Sequence, residues 1–442
     1  MKIIIYSLLL IISHSYIVVP FKTLVNETAL ELNYMKEKFF NDIYINIQIG
    51  SNKQEIPIQL RLHAYYFYII DEAYDGIYKV KKFESSQSTS YKPKNPMDNY
   101  YREDYTNGIL STDDFYFGNI KIEQFNFINA KQIALYQHIT QSGAIGLNLK
   151  QSGKSFRDDV NFLENLKNKK LFSNYIFSII YTNENEGFFF LGEHLYKTKE
   201  SNYTEQCEKK YKLQNTYFND EWQIIFDEYK IGNEKFEKTI NTFLYPELGV
   251  IISNQNYHKS IENFFKNKLC EKKEFNPIGM IETYLELTYT YYVCDKSINE
   301  KEFPTLSIVT KKLNLTFELT YKELFSEYKD KKYFLVVFPE EDIYHVFMIL
   351  GKPFMKKYDF SFDRYEQFIY PYDINGPRYN KVWDTFWFVL KILLIIFFIV
   401  VLILAVYTYY IKIKMPRKKR AFEIEDNFDY IPNENRETKL LI

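Results

Sequence analysis

The chain is 442 residues long and 46% hydrophobic, enough for two lobes of ordinary size or one large β protein. Basic and acidic residues nearly cancel, 56 against 57, which argues against nucleic acid as a partner. With 41 Tyr and 39 Phe against 14 Gly, the composition is rich in strand formers.

At the amino end, Lys2 precedes the apolar run Ile3–Ile12, and Ser13 to Ser15 supply small residues for a signal peptidase. The run is too short to span a bilayer. Residues 1–15 therefore read as a cleaved signal peptide, and 16–38 as a short N-terminal segment. Ile43–Ile49 alternates Ile with Tyr, Asn and Gln at a period of two, the pattern of a half-buried strand. Ile49–Ile69 opens on a turn at Gly50, runs as an apolar strand, and turns again before more aromatics. Phe83–Tyr91 is a polar loop. Val160, Leu163, Leu166 and Leu171 suit an amphipathic helix over 156–172. Asn174–Gly192 reads as a hairpin with its turn at Asn183–Gly187, and Asn256–Phe265 as helical.

Near the other end, Phe386–Tyr410 is apolar but for Lys391, and Ile392–Tyr410 alone is 19 residues, the length a bilayer needs. Lys412, Lys414, Arg417, Lys418, Lys419 and Arg420 follow at once and place that side in the cytosol. The chain reads as a single-pass type I membrane protein with a lumenal or extracellular ectodomain. That compartment is oxidising, yet only Cys207, Cys270 and Cys294 are present, so one pair at most closes within the chain. Asn26, Asn202 and Asn314 head sequons open to glycosylation if exposed.

Several stretches resemble, in order and spacing, the pepsin-like aspartic proteases. Gly50, Ser51 and Gln54 stand where that family has Gly, Thr and Gln ahead of its first Asp-Thr-Gly. Gly108–Phe115 resembles the strand returning from the active-site flap, which puts Tyr101 at the flap tyrosine and Arg102, Glu103 and Asp104 where the family has Gly-Thr-Gly. Gly143–Leu147, Trp222–Gly232 and Phe303–Ile308 match further family strands, and Ile349–Arg364 aligns without a gap. The resemblance covers roughly residues 40 to 372. It implies a mainly β, bilobal fold, two β-barrel-like lobes around a central cleft. The lobes would be 39–200 and 201–372, followed by a juxtamembrane stalk at 373–385, a transmembrane helix at 386–410 and a cytosolic tail at 411–442. It also implies a disulfide between Cys270 and Cys294, a loop closure of about 3 kcal/mol in the chain-entropy picture. Cys207 is then free or intermolecular.

The same alignment sets Arg61 and Tyr245 at the two catalytic aspartates, and neither Asp-Thr-Gly nor Asp-Ser-Gly occurs anywhere in the chain. Such enzymes use two carboxylates that share a proton and hold a water between them. Arg61 has no acceptor, and a tyrosine with a free pKa of about 10 is no substitute base. His63 and Glu247 take the third positions of the two loops, which face each other in the family. They offer an acid–base pair, an Arg61–Glu247 ion pair bridging the lobes, or merely solvated loop residues. Fewer than thirty residues precede Ile43 after the signal, little room for a restraining prosegment.

Three readings follow: a non-catalytic ectodomain whose cleft, with Tyr101, His63 and Glu247 as candidates, binds a peptide or protein; an active membrane-bound aspartic endopeptidase; or a structural surface glycoprotein. The loss of the motifs favours the first over the second, and nothing in the sequence separates the first from the third. No cofactor and no metal are expected, and the oligomeric state is not legible. Glu437–Ile442 resembles an acidic dileucine sorting signal, so endosomal or lysosomal membranes and the cell surface both remain destinations.

Overall fold

The computed structural model describes residues 16–23, 34–76, 79–94, 106–133, 141–149, 158–214, 221–236, 239–266, 268–277, 288–340, 347–378 and 381–414. The candidate Tyr101, Asn26, the segment 1–15 and most of the tail lie outside them. Contacts divide the chain into a body ending at Arg378 and a segment beginning at Tyr379.

The body is mainly β, as expected. Ile43–Ile49 forms the anticipated strand: its four isoleucines are buried while Tyr44, Asn46 and Gln48 turn outward. It pairs antiparallel with Gln54–Arg61, Ile45 opposite Ile58. The N-terminal segment also holds a strand, Ile17–Thr23, whose alternating burial seats it between Glu186–Leu191 and Ile43–Ile49. Among the described residues the strands make sheets of 13, nine and four strands.

One motif occurs twice. Gln54–Arg61 runs parallel to Gly143–Gly146, and Phe67–Ile70 lies antiparallel on the other side of that inserted strand. Likewise Ile240–Leu244 runs parallel to Phe347–Leu350, with Ile251–Ile252 antiparallel beyond it. Leu60 faces Ile145, which faces Phe67; Leu244 faces Leu350, which faces Ile251. Between these anchors each loop has six residues, 61–66 and 245–250. The first inserted strand ends on Gly146, and the second is followed at once by Gly351. A Cβ at Gly146 would come within 2.4 Å of the Tyr65 carbonyl carbon, and one at Gly351 within 2.2 Å of the Val250 oxygen. Both loops therefore rest on glycine because nothing larger fits beneath them.

The C-terminal part of the body completes the larger sheet. Phe360–Asp363 pairs with Ile176–Tyr181, and Tyr211–Lys212 pairs with Phe368–Pro371. The Phe177 and Phe362 rings stack with centroids 5.1 Å apart, and buried Trp222 donates its indole N–H to the Leu147 carbonyl at 3.0 Å.

The expected helix over 156–172 is shorter. Asn161 accepts the Glu164 N–H and caps Phe162–Asn168, and Lys170 turns left-handed with φ 54°. The expected helix near Asn256 spans Gln255–Lys266, and the hairpin turn falls at 182–185. Cys270 and Cys294 are register partners in an antiparallel pair and form a disulfide, as the resemblance implied, whereas Cys207 is free and buried.

In the second unit, Lys381–Tyr409 is helical and continues as a π-helical turn over Tyr410–Lys414. Val389–Lys412 is long and apolar enough to cross a membrane. The helix starts inside the range read as stalk, because neither Gly nor Pro stands between Arg378 and Phe386 to prevent it.

Segment 372–378 is tied to the body. The Tyr372 N–H donates to the Asp359 carbonyl, Asp359 Oδ2 accepts the Tyr203 hydroxyl at 2.8 Å, and the Arg378 guanidinium lies 3.9 Å from the Tyr203 ring centre. Burial pushes the Asp359 carboxyl up to about 6, against the opposing pull of Tyr203 and Arg378. A carboxyl raised above its unfolded value contributes fully below about pH 4, and that contribution is lost as pH rises through about 6. Asp359→Asn is therefore expected to be more stable than the parent at neutral pH, by about 3 kcal/mol, and equal to it below about pH 4. Thermal denaturation across that range checks this; a parent that outlasts the variant at neutral pH contradicts it.

Candidate functional site

The equal loops set Arg61 against Tyr245, Leu62 against Pro246, and His63 against Glu247 as matching positions of the two motifs. Each loop is held by backbone bonds to its own inserted strand. The Leu147 N–H donates to the Arg61 carbonyl, and the Tyr245 N–H to the Leu350 carbonyl. The loops meet through one side chain of the second. Glu247 Oε1 accepts the Leu62 N–H at 3.0 Å and the His63 N–H at 3.3 Å, and it lies 2.6 Å from His63 Nδ1.

Glu247 is only 4% exposed and His63 15%. Burying a carboxylate is costly unless donors replace its water. All its bonds fall on Oε1, and the buried Oε2 has none. The His63 ring is 5.8 Å from that of half-buried Tyr245, and its carbonyl accepts the Asn148 amide at 2.9 Å.

The structure does not form the Arg61–Glu247 ion pair considered from the sequence. Arg61 is buried and its Nε and Nη2 donate to Gln59 Oε1 at 3.1 and 2.8 Å. Gln59 in turn donates through Nε2 to Asp42 Oδ1. The reason is strand periodicity: residues 59 and 61 share a face, so the guanidinium lies along its own strand. His63, at a bend just past the strand, is the residue within reach of Glu247.

A buttress behind the second loop was not foreseen. Asn41 donates its backbone N–H to the Glu247 carbonyl and its side-chain amide to the Pro246 carbonyl, both at 2.8 Å, and the Tyr181 hydroxyl donates to the same Pro246 oxygen at 3.1 Å. Burial holds the Tyr181 hydroxyl well above the usual phenol range, with the Asn41 bond opposing. The available signal was the polar pair Asn41–Asp42 between Phe40 and Ile43, two buried polar residues inside an apolar run.

Chemically, the two loops carry one carboxylate, Glu247, with an imidazole, a guanidinium and the three phenols of Tyr65, Tyr66 and Tyr245. Of the other predicted residues, Asn202 and Asn314 are exposed and apart from the loops, and Tyr101 is outside the described residues. Among the described residues no cluster of three His, Cys, Asp or Glu is arranged to hold a metal ion. A family model described as eukaryotic aspartyl protease matches residues 42–370. Among curated proteins, none matches the sequence.

The bonding pattern sets an order of couplings. Glu247→Ala strands two backbone donors and is expected to cost about 3 kcal/mol. A double-mutant cycle between His63 and Glu247 is expected to give a coupling of about 1–2 kcal/mol, and one between Arg61 and Glu247 to be near zero. Thermal denaturation of the three single and two double variants measures both. A larger coupling for Arg61 than for His63 contradicts the described pairing.

Proposed function

The chain belongs to the eukaryotic aspartyl protease family, and we propose that it is a non-catalytic, membrane-anchored member whose cleft binds a peptide or protein. The observation that carries this reading is the composition of the two matching loops. In the proposed assignment Arg61 and Tyr245 stand where the family has its aspartates. Hydrolysis needs two carboxylates able to exchange a proton with a water between them. Here one carboxylate is available, and its Oε1 is committed to Leu62 and His63.

The rest of the proposal concerns placement. We assign residues 1–15 as signal peptide, 39–200 and 201–372 as the two lobes, and the apolar helix as a type I anchor with a cytosolic tail from residue 411. Support comes from the basic residues between Lys412 and Arg420, directly after the apolar run. The ectodomain then faces the lumen or the exterior, at the cell surface or in endosomal or lysosomal membranes. Asn202 and Asn314 are exposed where such a topology would allow glycans.

The family's own activity is the competing outcome. The full chain in detergent, incubated with a mixed peptide library between about pH 3 and pH 7, is expected to leave every peptide intact. New cleavage products that vanish with Glu247→Gln would make the protein a peptidase.

A further inference from the structure

The meeting point of the loops has an unfilled demand for hydrogen. Glu247 Oε1 lies among three donors, the environment of an ionised carboxylate, which can only accept. With the shared hydrogen on His63 Nδ1, Nε2 of the neutral imidazole presents a lone pair. The Glu247 carboxylate thus stands directly behind the imidazole. The buried Glu247 Oε2, with no partner, adds to the same negative field.

The charges around the loops leave a surplus of one sign. Arg61 is tied through Gln59 to Asp42. Arg364 lies over the Tyr65 ring at 4.7 Å, and the Tyr65 hydroxyl donates to Asp158 at 2.6 Å. Glu164 lies 3.9 Å from Arg364 as well, so three carboxylates stand against these two guanidinium groups, and the carboxylate of Glu247 adds to the acidic side. The loop residues that reach the surface here are His63, Tyr66 and Tyr245, each partly exposed.

We propose that His63, Tyr245 and Glu247 form a subsite for a cationic side chain, the guanidinium of an arginine in a peptide or protein ligand. This rests on the reading of the cleft as a binding site. A guanidinium offers N–H groups to His63 Nε2, carries the charge that Glu247 lacks, and stacks its plane on a phenol ring. Arg61 does not compete for the place, because its own guanidinium is turned along its strand to Gln59.

The test uses the full chain in detergent at neutral pH and fluorescent peptides identical except for one central arginine, citrulline, lysine or glutamate. Fluorescence anisotropy is expected to give about ten-fold tighter binding for arginine than for citrulline, its neutral counterpart of the same shape. Glu247→Gln is expected to erase that preference, and the parent comparison decides alone if the variant does not fold. Equal affinity for arginine and citrulline, or a preference for glutamate, overturns the subsite while leaving the cleft as a binding site. Failure of every peptide to bind the parent overturns both.

Discussion

The arrangement of the two loops depends on the side chain of Glu247. It crosses from one motif to the other and brings its charge to backbone amides and a ring nitrogen that belong to residues 62 and 63. A buried carboxylate loses several kcal/mol of hydration and needs donors already in position. The donors are in position because each loop has the same six-residue length and rests on a glycine at or just past the end of its inserted strand. The clasp is therefore a product of the repeated motif. Changing the length of either loop would move the amides off the carboxylate.

The same economy governs Arg61. An always-charged group at the end of a buried strand needs acceptors, and it finds Gln59 on its own face with Asp42 beyond. The positive charge is thus handled within the first motif and the negative one is handed across from the second. The guanidinium is satisfied on its own side of the junction, whereas Glu247 Oε1 is satisfied by the opposite loop and Oε2 is left without a partner. At the surface of the junction lie the partly exposed imidazole of His63 and the half-buried ring of Tyr245.

Much of the scaffold was legible in the sequence, and the reasons are particular. Ile43–Ile49 shows its strand because every second residue is isoleucine, and Cys270 and Cys294 pair as the resemblance implied. Ile349–Arg364 carries its turn at Gly351 and its strand in unbroken family order. The strand Ile17–Thr23 was not legible because it closely follows the apolar run Ile3–Ile12 and one of its two partner strands, Glu186–Leu191, is over 160 residues away. At the site, the sequence brought His63 and Glu247 to facing loops, but charge alone suggested Arg61 as the partner. Only the backbone direction at the end of the strand decides that Arg61 lies along the sheet and His63 turns across it. Tyr181 was unreadable for a similar reason, since it supports the loop through a carbonyl oxygen that leaves no trace in residue type, and Asn41 was signalled only by its polar place between Phe40 and Ile43.

As proposed, no proton-sharing pair of carboxylates exists at the junction. Calorimetric titration of the full chain with pepstatin, in acidic buffers of different ionisation enthalpy, tests this directly. No saturable heat is expected in any buffer. Stoichiometric binding whose heat changes with the buffer, the mark of a proton taken up or released by a carboxylate pair, would contradict it.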